Sequence, residues 1–344
     1  MSFGLKMKKT KIALIGCGYW GKNHLKTLMS IDEANLVYVC DAAKPSINIP
    51  KGIKFTPNYK EILKDKHIEG VVISTPTSTH YSLSKEFLEA GKDVLVEKPL
   101  TTKSIEAEEL CAIADKKSLV LMVGEIFRFN PGISDIKNMI DSNMLGELRY
   151  IESRRVGLGP VRIDVSVLWD LATHDIYISN LLTRKLPLSV SYSGISHNGH
   201  LDDIVTLNMK YENGIFSTIY VNWEHPVKER RLIVGGANQA ISFDDMEASE
   251  KIKIFERGVN YQPVTGDIGA FKASIRGGKI IIPNVKFAQP LEEEDKAFVS
   301  AIKSRINPIS NGYDGLATVQ VLEAAEASKK NNGIEIKLSY QGGK

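Results

Sequence analysis

Cysteine is scarce in this chain, and its pattern excludes two common kinds of framework. Only 3 of 344 residues are cysteine (Cys17, Cys40 and Cys111), and no two of them form a CxxC pair. An odd number of widely spaced cysteines implies neither a disulfide-stapled secreted fold nor a zinc knuckle. We therefore expect a reduced, cytoplasmic protein, and the sequence predicts no metal site.

Long hydrophobic runs are also lacking. The purely apolar stretches are short, such as residues 119–123. A membrane-spanning helix needs about 20 consecutive apolar residues, so no membrane segment is expected. The leader MSFGLKMKKT is too short and too polar for a secretory signal.

The chain has no strong excess of either charge. It carries 44 basic and 41 acidic residues, a formal net charge of +3, with the two signs interspersed. Bulk nucleic-acid binding is therefore not expected, because it needs a basic face or tail. With 43% hydrophobic and 25% charged residues, the composition is that of a globular protein. A length of 344 residues predicts roughly two domains.

The first 125 residues alternate between strand-like and helix-like segments. Predicted strands cover residues 11–15, 36–40, 71–74, 93–96 and 119–123, and predicted helices cover 22–30, 79–90 and 104–117. Strands that alternate with helices indicate right-handed βαβ crossovers and a parallel sheet. We assign residues 8–127 to a dinucleotide-binding Rossmann domain of an α/β protein.

The pattern changes near residue 128. Strand-like segments then dominate (148–156, 188–195, 204–209, 214–221, 231–234 and 252–255), with helices predicted at about 133–142, 169–182, 292–303 and 315–329. The turn signal Glu212-Asn213-Gly214 indicates a hairpin. We assign residues 128–340 to an α+β domain for substrate binding and oligomerisation, built on a large, mostly antiparallel open sheet.

Three glycines follow the first predicted strand with the spacing GxGxxG. They are Gly16, Gly18 and Gly21, in the sequence GCGYWG. By itself this spacing is a weak signal, but here a strand precedes it and a helix follows it. The first glycine permits a tight turn, the second lets the backbone approach a pyrophosphate, and the third lets helix and strand pack closely. The helix N-terminus then presents free N–H groups to phosphate.

Asp41 directly follows the second predicted strand, 20 residues after Gly21. A carboxylate at this position can accept hydrogen bonds from the adenosine ribose, and it repels a 2′-phosphate. The sequence therefore favours NAD over NADP, although Lys44 lies close enough in sequence to approach a 2′-phosphate. The alternative is a solvated aspartate beside an ordinary glycine-rich turn.

Glu97-Lys98-Pro99 ends the fourth predicted strand of the parallel sheet. Ligands of open α/β sheets bind outside the carboxyl ends of the strands, so Lys98 can point into a cofactor crevice. Pro99 biases Lys98 towards an extended backbone. A solvated loop lysine is an equally weighted alternative from these residues alone.

A second candidate cluster lies at the start of the helix predicted at 169–182. Asp170 and His174 are four residues apart and share one helix face. Histidine titrates near neutrality and can exchange a hydroxyl proton, while a carboxylate can orient its ring. Taken alone, such a pair is more often structural than catalytic. His197 and His200 lie in a Gly/Asn-rich turn without a third ligand candidate nearby and are interpreted as surface residues.

Together these motifs resemble the Gfo/Idh/MocA oxidoreductase family over nearly the whole chain. The resemblance rests on GCGYWG, Asp41, STPTSTH at 74–80, VEKPL at 96–100 and DLATHD at 170–175. It implies an N-terminal Rossmann domain and a C-terminal domain whose open sheet pairs members into homodimers or homotetramers.

The resemblance also implies roles for particular residues. Lys98 would hydrogen-bond the reacting hydroxyl or carbonyl, His174 would act as acid and base, and Asp170 would orient it or the substrate. The cofactor-binding set is Gly16, Gly18, Tyr19, Trp20, Gly21, Asp41, Ser74, Thr75, Pro76, His80, Glu97 and Lys98. Because the lysine and histidine are both present, the chain does not resemble the non-catalytic regulators of this fold.

The segment 156–176 is most similar to members associated with polysaccharide and nucleotide-sugar pathways. This similarity implies an NAD-dependent oxidation of a secondary ring hydroxyl, at C3 of UDP-N-acetylglucosamine or its uronic acid. Arg155 and Arg162, with Arg154, would contact a substrate diphosphate; a solvated basic strand face is at least as probable from the sequence. The alternatives are an inositol or free-sugar dehydrogenase of the same family, and a non-catalytic NAD-dependent binding protein.

Overall fold

A computed structural model describes residues 8–159, 162, 165–197, 199, 201–263 and 271–340. The chain divides into two compact units. One contains the residues up to Asn130 together with Ala288–Gln320, and the other contains Pro131–Phe287 and the residues from Val321 onward. In the described part of the chain, no helix is both long and apolar enough to cross a membrane.

The helices and strands are numbered in chain order. The α-helices are α1 (Gly21–Ser30), α2 (Tyr59–Lys64), α3 (His80–Glu89), α4 (Ser104–Lys117), α5 (Pro131–Asp141), α6 (Thr173–Thr183), α7 (Pro290–Ser304) and α8 (Gly312–Lys330). The strands are β1 (Thr10–Ile15), β2 (Ala34–Cys40), β3 (Lys54–Thr56), β4 (Gly70–Ile73), β5 (Asp93–Glu97), β6 (Leu121–Gly124), β7 (Leu148–Val156), β8 (Ser189–Ile195), β9 (Ile204–Lys210), β10 (Phe216–Asn222), β11 (Glu229–Gly236), β12 (Ala240–Asp244), β13 (Ile252–Phe255), β14 (Gly258–Pro263), β15 (Phe271–Arg276), β16 (Ile280–Ile281) and β17 (Ile336–Lys337).

The first unit is built on a six-stranded sheet in the order β3-β2-β1-β4-β5-β6. Every pairing in it is parallel, and its central strands are continuously apolar because both faces are covered. This is the doubly wound order, which reverses direction between β1 and β4 and opens a crevice at that point. The predicted Rossmann fold is therefore confirmed, and β3 and α2 are elements that the sequence pattern did not reveal.

Helix α7 packs in the first unit although it comes late in the chain. Its Phe298 and Ile302 belong to the same buried cluster as β1 and β2. A Cβ at Gly70 would lie 2.7 Å from Ile302 Cδ1, so the glycine leaves the space that the helix fills. The compact units thus differ from the predicted segments 8–127 and 128–340, because the apolar face of α7 finds its complement on the parallel sheet.

The second unit is built on a nine-stranded sheet in the order β16-β13-β12-β11-β7-β10-β9-β8-β17. Among its described strands, β7 and β10 are the one pair that runs in parallel, which agrees with the predicted large, mostly antiparallel sheet. The predicted hairpin joins β9 to β10 through Glu212–Gly214, where Asn213 and Gly214 adopt positive φ angles of 60° and 72°. A buried cluster between this sheet, α6 and the later part of α8 forms the core.

Candidate active site

The residues predicted from the strand ends lie at one edge of the six-stranded sheet. The glycine-rich turn follows β1, Asp41 follows β2, the segment 74–80 follows β4, and Lys98 follows β5. All four strands are parallel, so their carboxyl ends meet at this edge. The structure therefore brings the predicted cofactor-binding residues of the first unit to one side of the sheet.

The three glycines of the turn differ in what surrounds them. Gly16 has φ +89°, and a Cβ there would lie 2.4 Å from the backbone oxygen of Ser74. At Gly21 a Cβ would lie 2.1 Å from the backbone oxygen of Gly16. At Gly18, by contrast, no atom of the described residues other than its chain neighbours lies within 4 Å of such a Cβ. The first and third glycines thus serve close packing, and the second faces open space where a ligand can approach the backbone.

Asp41 is half-buried and hydrogen-bonds to this turn. Its Oδ2 accepts the backbone N–H of Cys17 at 2.7 Å, and its Oδ1 accepts that of Ala43 at 3.2 Å. The carboxylate therefore lies beside the glycine-rich turn and is held by two backbone donors. Helix α1 starts at Gly21, so the turn also leads directly into a helix N-terminus, where anions are favoured.

The segment after β4 is tied to the turn after β5 through His80. The buried ring has its Nδ1 2.8 Å from the carbonyl oxygen of Pro99 and its Nε2 3.0 Å from that of Thr75. The hydroxyls of Thr75 and Thr79 lie 2.7 Å apart, while Ser74 is half-buried and Pro76 is exposed. His80 thus holds two predicted cofactor-binding segments together, a contact that the sequence did not indicate.

Glu97 and Lys98 are both half-buried at the end of β5. One carboxylate oxygen of Glu97 accepts the indole N–H of Trp20, and the other accepts the backbone N–H of Lys98 at 3.2 Å. Trp20 therefore links the glycine-rich turn to Glu97, whereas its neighbour Tyr19 is 87% exposed. The peptide bond between Lys98 and Pro99 is cis.

Glu125 is a residue of this edge that sequence reasoning missed. It follows β6 directly, as Glu97 ends β5, so the rule of strand ends was the signal that could have found it. Its side chain is 1% exposed. Burial raises the pKa of Glu125 to about 8; the charge of Lys98 opposes this shift, and Asp314 and Glu97 add to it. At neutral pH, Glu125 is therefore predominantly protonated.

In the second unit, Asp170 and His174 lie on consecutive turns. Asp170 belongs to a π-helical turn at Leu168–Ala172, and His174 belongs to the first turn of α6. Such π turns are frequent at functional sites. The indole N–H of Trp223 donates to Asp170 Oδ2 at 3.3 Å, and Arg162 Nη1 lies 3.5 Å from Asp170 Oδ1. Both candidate side chains are half-buried, which suits groups that contact a ligand.

Arg155 forms a buried ion pair with Asp175, which indicates a structural role. Its Nε and Nη2 donate to the two carboxylate oxygens of Asp175 at 2.8 and 3.1 Å, and Ser153 donates to the same carboxylate. Both residues of the pair are buried. The contact of Arg155 with a substrate stays a prediction, and the geometry gives it a structural partner that the sequence analysis did not foresee.

His197 is exposed, as predicted, but two possible ligand partners lie near it. Its Nδ1 is 2.9 Å from Asp203 Oδ1 and 3.5 Å from Glu224 Oε2. The interpretation that no third ligand candidate lies nearby is therefore wrong, because the strand pairing of β9 and β10 brings Glu224 towards the turn. His200 lies outside the described residues.

Comparison with known proteins decides the family. A family model described as "Oxidoreductase family, NAD-binding Rossmann fold" (GFO_IDH_MocA) matches residues 10–125, and the "GFO/IDH/MocA C-terminal domain" matches residues 133–242. The chain belongs to the Gfo/Idh/MocA oxidoreductase family. The predicted resemblance is confirmed, and as a family member the protein is an oxidoreductase enzyme.

Individual family members are similar at modest identity. A UDP-N-acetylglucosamine 3-dehydrogenase of Acidithiobacillus ferrooxidans is 26% identical over 92% of this chain and 95% of its own length. A scyllo-inositol 2-dehydrogenase (NAD(+)) of Bacillus subtilis is 25% identical over 97% of this chain and 99% of its own length. A solved structure of the Acidithiobacillus enzyme has a TM-score of 0.75 at 25% identity, and covers 94% of this chain and 99% of that one.

The residues of the first unit fit the nicotinamide dinucleotide that the family binds. The open space at Gly18, the helix N-terminus at Gly21 and the half-buried carboxylate of Asp41 are features that this group requires. The matching family model describes an NAD-binding Rossmann fold, so the protein is assigned an NAD(P)-binding Rossmann domain.

Proposed function

We propose that this Gfo/Idh/MocA enzyme is an NAD-dependent dehydrogenase that oxidises a secondary ring hydroxyl of a sugar or nucleotide sugar. The favoured substrate is UDP-N-acetylglucosamine or its uronic acid, oxidised at C3. The observation that carries the proposal is the sheet edge where Asp41, the open glycine turn and Lys98 occur together. Two relatives, a UDP-N-acetylglucosamine 3-dehydrogenase and a scyllo-inositol 2-dehydrogenase, support this class of substrate.

The choice of NAD over NADP rests on Asp41. Its carboxylate lies at the end of β2, where the adenosine ribose binds in Rossmann folds. A carboxylate and a 2′-phosphate at hydrogen-bond distance repel each other in a partly buried site. Hydrogen bonds from Cys17 and Ala43 hold Asp41 in place, so it cannot easily turn away from a phosphate.

The side chains divide the chemistry of an alcohol oxidation between them. The dinucleotide supplies hydride-transfer chemistry when it is bound. The ammonium group of Lys98 donates a hydrogen bond to the reacting oxygen and stabilises the negative charge that develops there. His174 accepts the hydroxyl proton as general base and returns it in the reverse direction. Asp170, held by Trp223, orients the histidine or a substrate hydroxyl.

Arg162 and the oligomeric state complete the proposal. Arg162 lies 3.5 Å from the carboxylate of Asp170, so it is placed to contact an anionic group of a substrate that reaches Asp170.

A homodimer or homotetramer is proposed from the family resemblance, and light scattering of the purified protein measures the oligomeric state directly.

The test is a substrate panel with two readouts. The purified protein is incubated with NAD and with nucleotide sugars, inositols and free sugars, and NADH absorbance and product mass are both followed. Product mass is needed because a tightly held cofactor that is recycled internally hides NADH release. Turnover of a ring alcohol, lost in Lys98→Met and kept in Lys103→Met, supports the proposal. Tight NAD binding without turnover across the panel contradicts it and favours the regulatory alternative.

A further inference from the structure

A histidine is buried between two carboxylates beneath the sheet edge of the first unit. The ring of His24, on α1, has its Nδ1 2.9 Å from Asp295 Oδ1 on α7 and its Nε2 3.0 Å from Glu97 Oε1 at the end of β5. The side chains of His24 and Asp295 are both 0% exposed. Ionised carboxylates can only accept hydrogen bonds, so both contacts are satisfied together when both ring nitrogens carry protons.

The electrostatics of this cluster favour a protonated ring, although burial also raises the pKa of Asp295 against the lowering effect of His24. Burial lowers the pKa of His24, but the charges and hydrogen bonds of Asp295 and Glu97 outweigh it and raise the pKa well above the usual value. Burial raises the pKa of Glu97, yet its contacts with His24 outweigh this and lower it. Two further buried carboxyls face the cluster, Glu294 on α7 and Glu125 after β6. Burial raises the pKa of each, so both are favoured in the neutral form.

The cluster reaches the candidate cofactor site through Glu97. The carboxylate of Glu97 that lies against the His24 ring also accepts two further hydrogen bonds. They come from the indole N–H of Trp20 in the glycine-rich turn and from the backbone N–H of Lys98. One buried carboxylate thus joins two segments at the ends of β1 and β5.

We propose that His24 and Asp295 are positioning residues: a buried imidazolium, held by Asp295, keeps Glu97 as a carboxylate that fixes the glycine-rich turn at Trp20 against the turn that carries Lys98. The role given to Lys98 rests on the proposed function. His24 and Asp295 touch neither cofactor nor substrate in this scheme. They act by holding Glu97 in the ionised form that accepts hydrogen bonds from both segments.

A metal ion is the competing explanation for this cluster. The ligand atoms of His24, Glu294 and Asp295 all lie within 4.8 Å of one another. A ligating histidine needs a free nitrogen lone pair, whereas both nitrogens of His24 lie at hydrogen-bond distance from carboxylates. The geometry therefore favours the imidazolium as the cation of the cluster.

The first test follows protonation directly and needs no substrate. Nitrogen NMR of the ¹⁵N-histidine-labelled protein, assigned with His24→Gln, reports both ring nitrogens of His24 against pH. The indole N–H signal of Trp20, assigned with Trp20→Phe, reports the charge of Glu97. We expect His24 in the wild type to stay doubly protonated well above the pH at which an ordinary histidine loses its proton. In His24→Gln the Trp20 signal should shift with pH as Glu97 takes up a proton.

Asp295→Asn tests the carboxylate that holds His24, and Asp93→Asn is the matched control at a buried aspartate outside the cluster. Asp295→Asn keeps an acceptor for Nδ1 but removes the charge, so it should lower the pH at which His24 titrates. Asp93 is buried at the opposite end of β5, where it pairs with Arg305. Its replacement should lower stability without moving the His24 or Trp20 signals. Two results would overturn the proposal: a wild-type His24 that titrates with the exposed histidines, or a stoichiometric metal whose removal by a chelator moves the signals.

The second test separates positioning from a merely structural role. Once a substrate is known, His24→Gln and Asp295→Asn should lower kcat by roughly ten- to a hundredfold, the scale for misplacing a catalytic group by about an ångström. The Kd for NAD should change by a smaller factor than kcat. Wild-type kcat in both variants would refute the proposal even if the NMR result held. The NMR test needs no substrate, so it can support or refute the role of His24 even if no substrate is found. Failure of the proposed function is therefore distinguishable from failure of this proposal.

Discussion

The carboxylate of Asp41 accepts the backbone N–H of Cys17 at 2.7 Å, so the end of β2 is tied directly to the glycine-rich turn that follows β1. The residue that should distinguish NAD from NADP therefore also contributes to the shape of the turn. Substitutions at this position can separate the two effects.

For cofactor choice, Asp41→Ala should weaken NAD binding by roughly ten- to a hundredfold, because a charge-assisted hydrogen bond contributes about 1.5–3 kcal/mol. Asp41→Asn keeps an acceptor for Cys17 but loses the charge, so it should improve NADP binding without loosening the turn. Titration of both dinucleotides measures this, with the exposed Asp32→Asn as control. Equal wild-type affinity for NAD and NADP would show that Asp41 does not contact the ribose.

Alanine at two glycines of the same turn should affect different properties, stability at Gly16 and NAD binding at Gly18. Gly16→Ala forces a residue with φ +89° against the backbone oxygen of Ser74, and the backbone strain alone costs about 1–3 kcal/mol. It should lower the thermal unfolding temperature. In Gly18→Ala the new methyl group meets no atom of the described residues within 4 Å, chain neighbours aside, so the variant should unfold like the wild type yet bind NAD more weakly. Unchanged NAD binding in Gly18→Ala would mean that the dinucleotide does not approach this backbone.

His174→Ala should leave the NAD affinity nearly intact and lower turnover by roughly 10²–10⁴, the range for removing general acid–base catalysis. NAD binding and turnover are measured on the same preparation, with the exposed His67→Ala as control. Normal turnover in the His174 variant would remove this histidine from the mechanism.

Glu125 should make stability depend on pH in a defined direction. Its folded-state pKa of about 8 lies above the value of about 4.3 in an unfolded chain. The folded state therefore holds the proton more tightly. This contribution of Glu125 to the free energy of unfolding is fully present below about pH 4 and is lost as the pH rises through 8. The total loss is at most roughly 5 kcal/mol.

Urea unfolding of the wild type between pH 4 and 9 measures this loss. Glu125→Gln imitates the protonated carboxyl and should flatten the pH dependence in this range, while the exposed Glu33→Gln should not. An identical pH dependence for wild type and Glu125→Gln would contradict the assigned protonation.

The buried pair Arg155–Asp175 should behave as a structural unit. Arg155→Met leaves the Asp175 charge buried without its partner, which typically costs about 3–5 kcal/mol. The double variant with Asp175→Leu should recover much of this stability, as measured by thermal unfolding. If turnover also recovers in the double variant, Arg155 makes no substrate contact; stability without turnover would support the predicted contact.

Much of the candidate site could be read from the sequence because its signals are local. The apolar pattern of β1, the GxGxxG spacing and the turn after β5 each depend on a few neighbouring residues. Parallel strands then bring their carboxyl ends to one edge, so Gly18, Asp41 and Lys98 could be grouped without coordinates. The hairpin at Asn213-Gly214 followed for the same reason, since those residue types tolerate positive φ.

Only the tertiary structure determined the contacts between segments that are distant in the sequence. His24 and Asp295 are 271 residues apart, and no spacing rule connects a histidine of α1 with a carboxylate of α7. The strand pattern of β7 likewise could not tell whether Arg155 faces solvent or Asp175. The physical reason is that secondary structure follows from local backbone and apolar periodicity, whereas a buried charge is tolerable only where the completed fold supplies its partner.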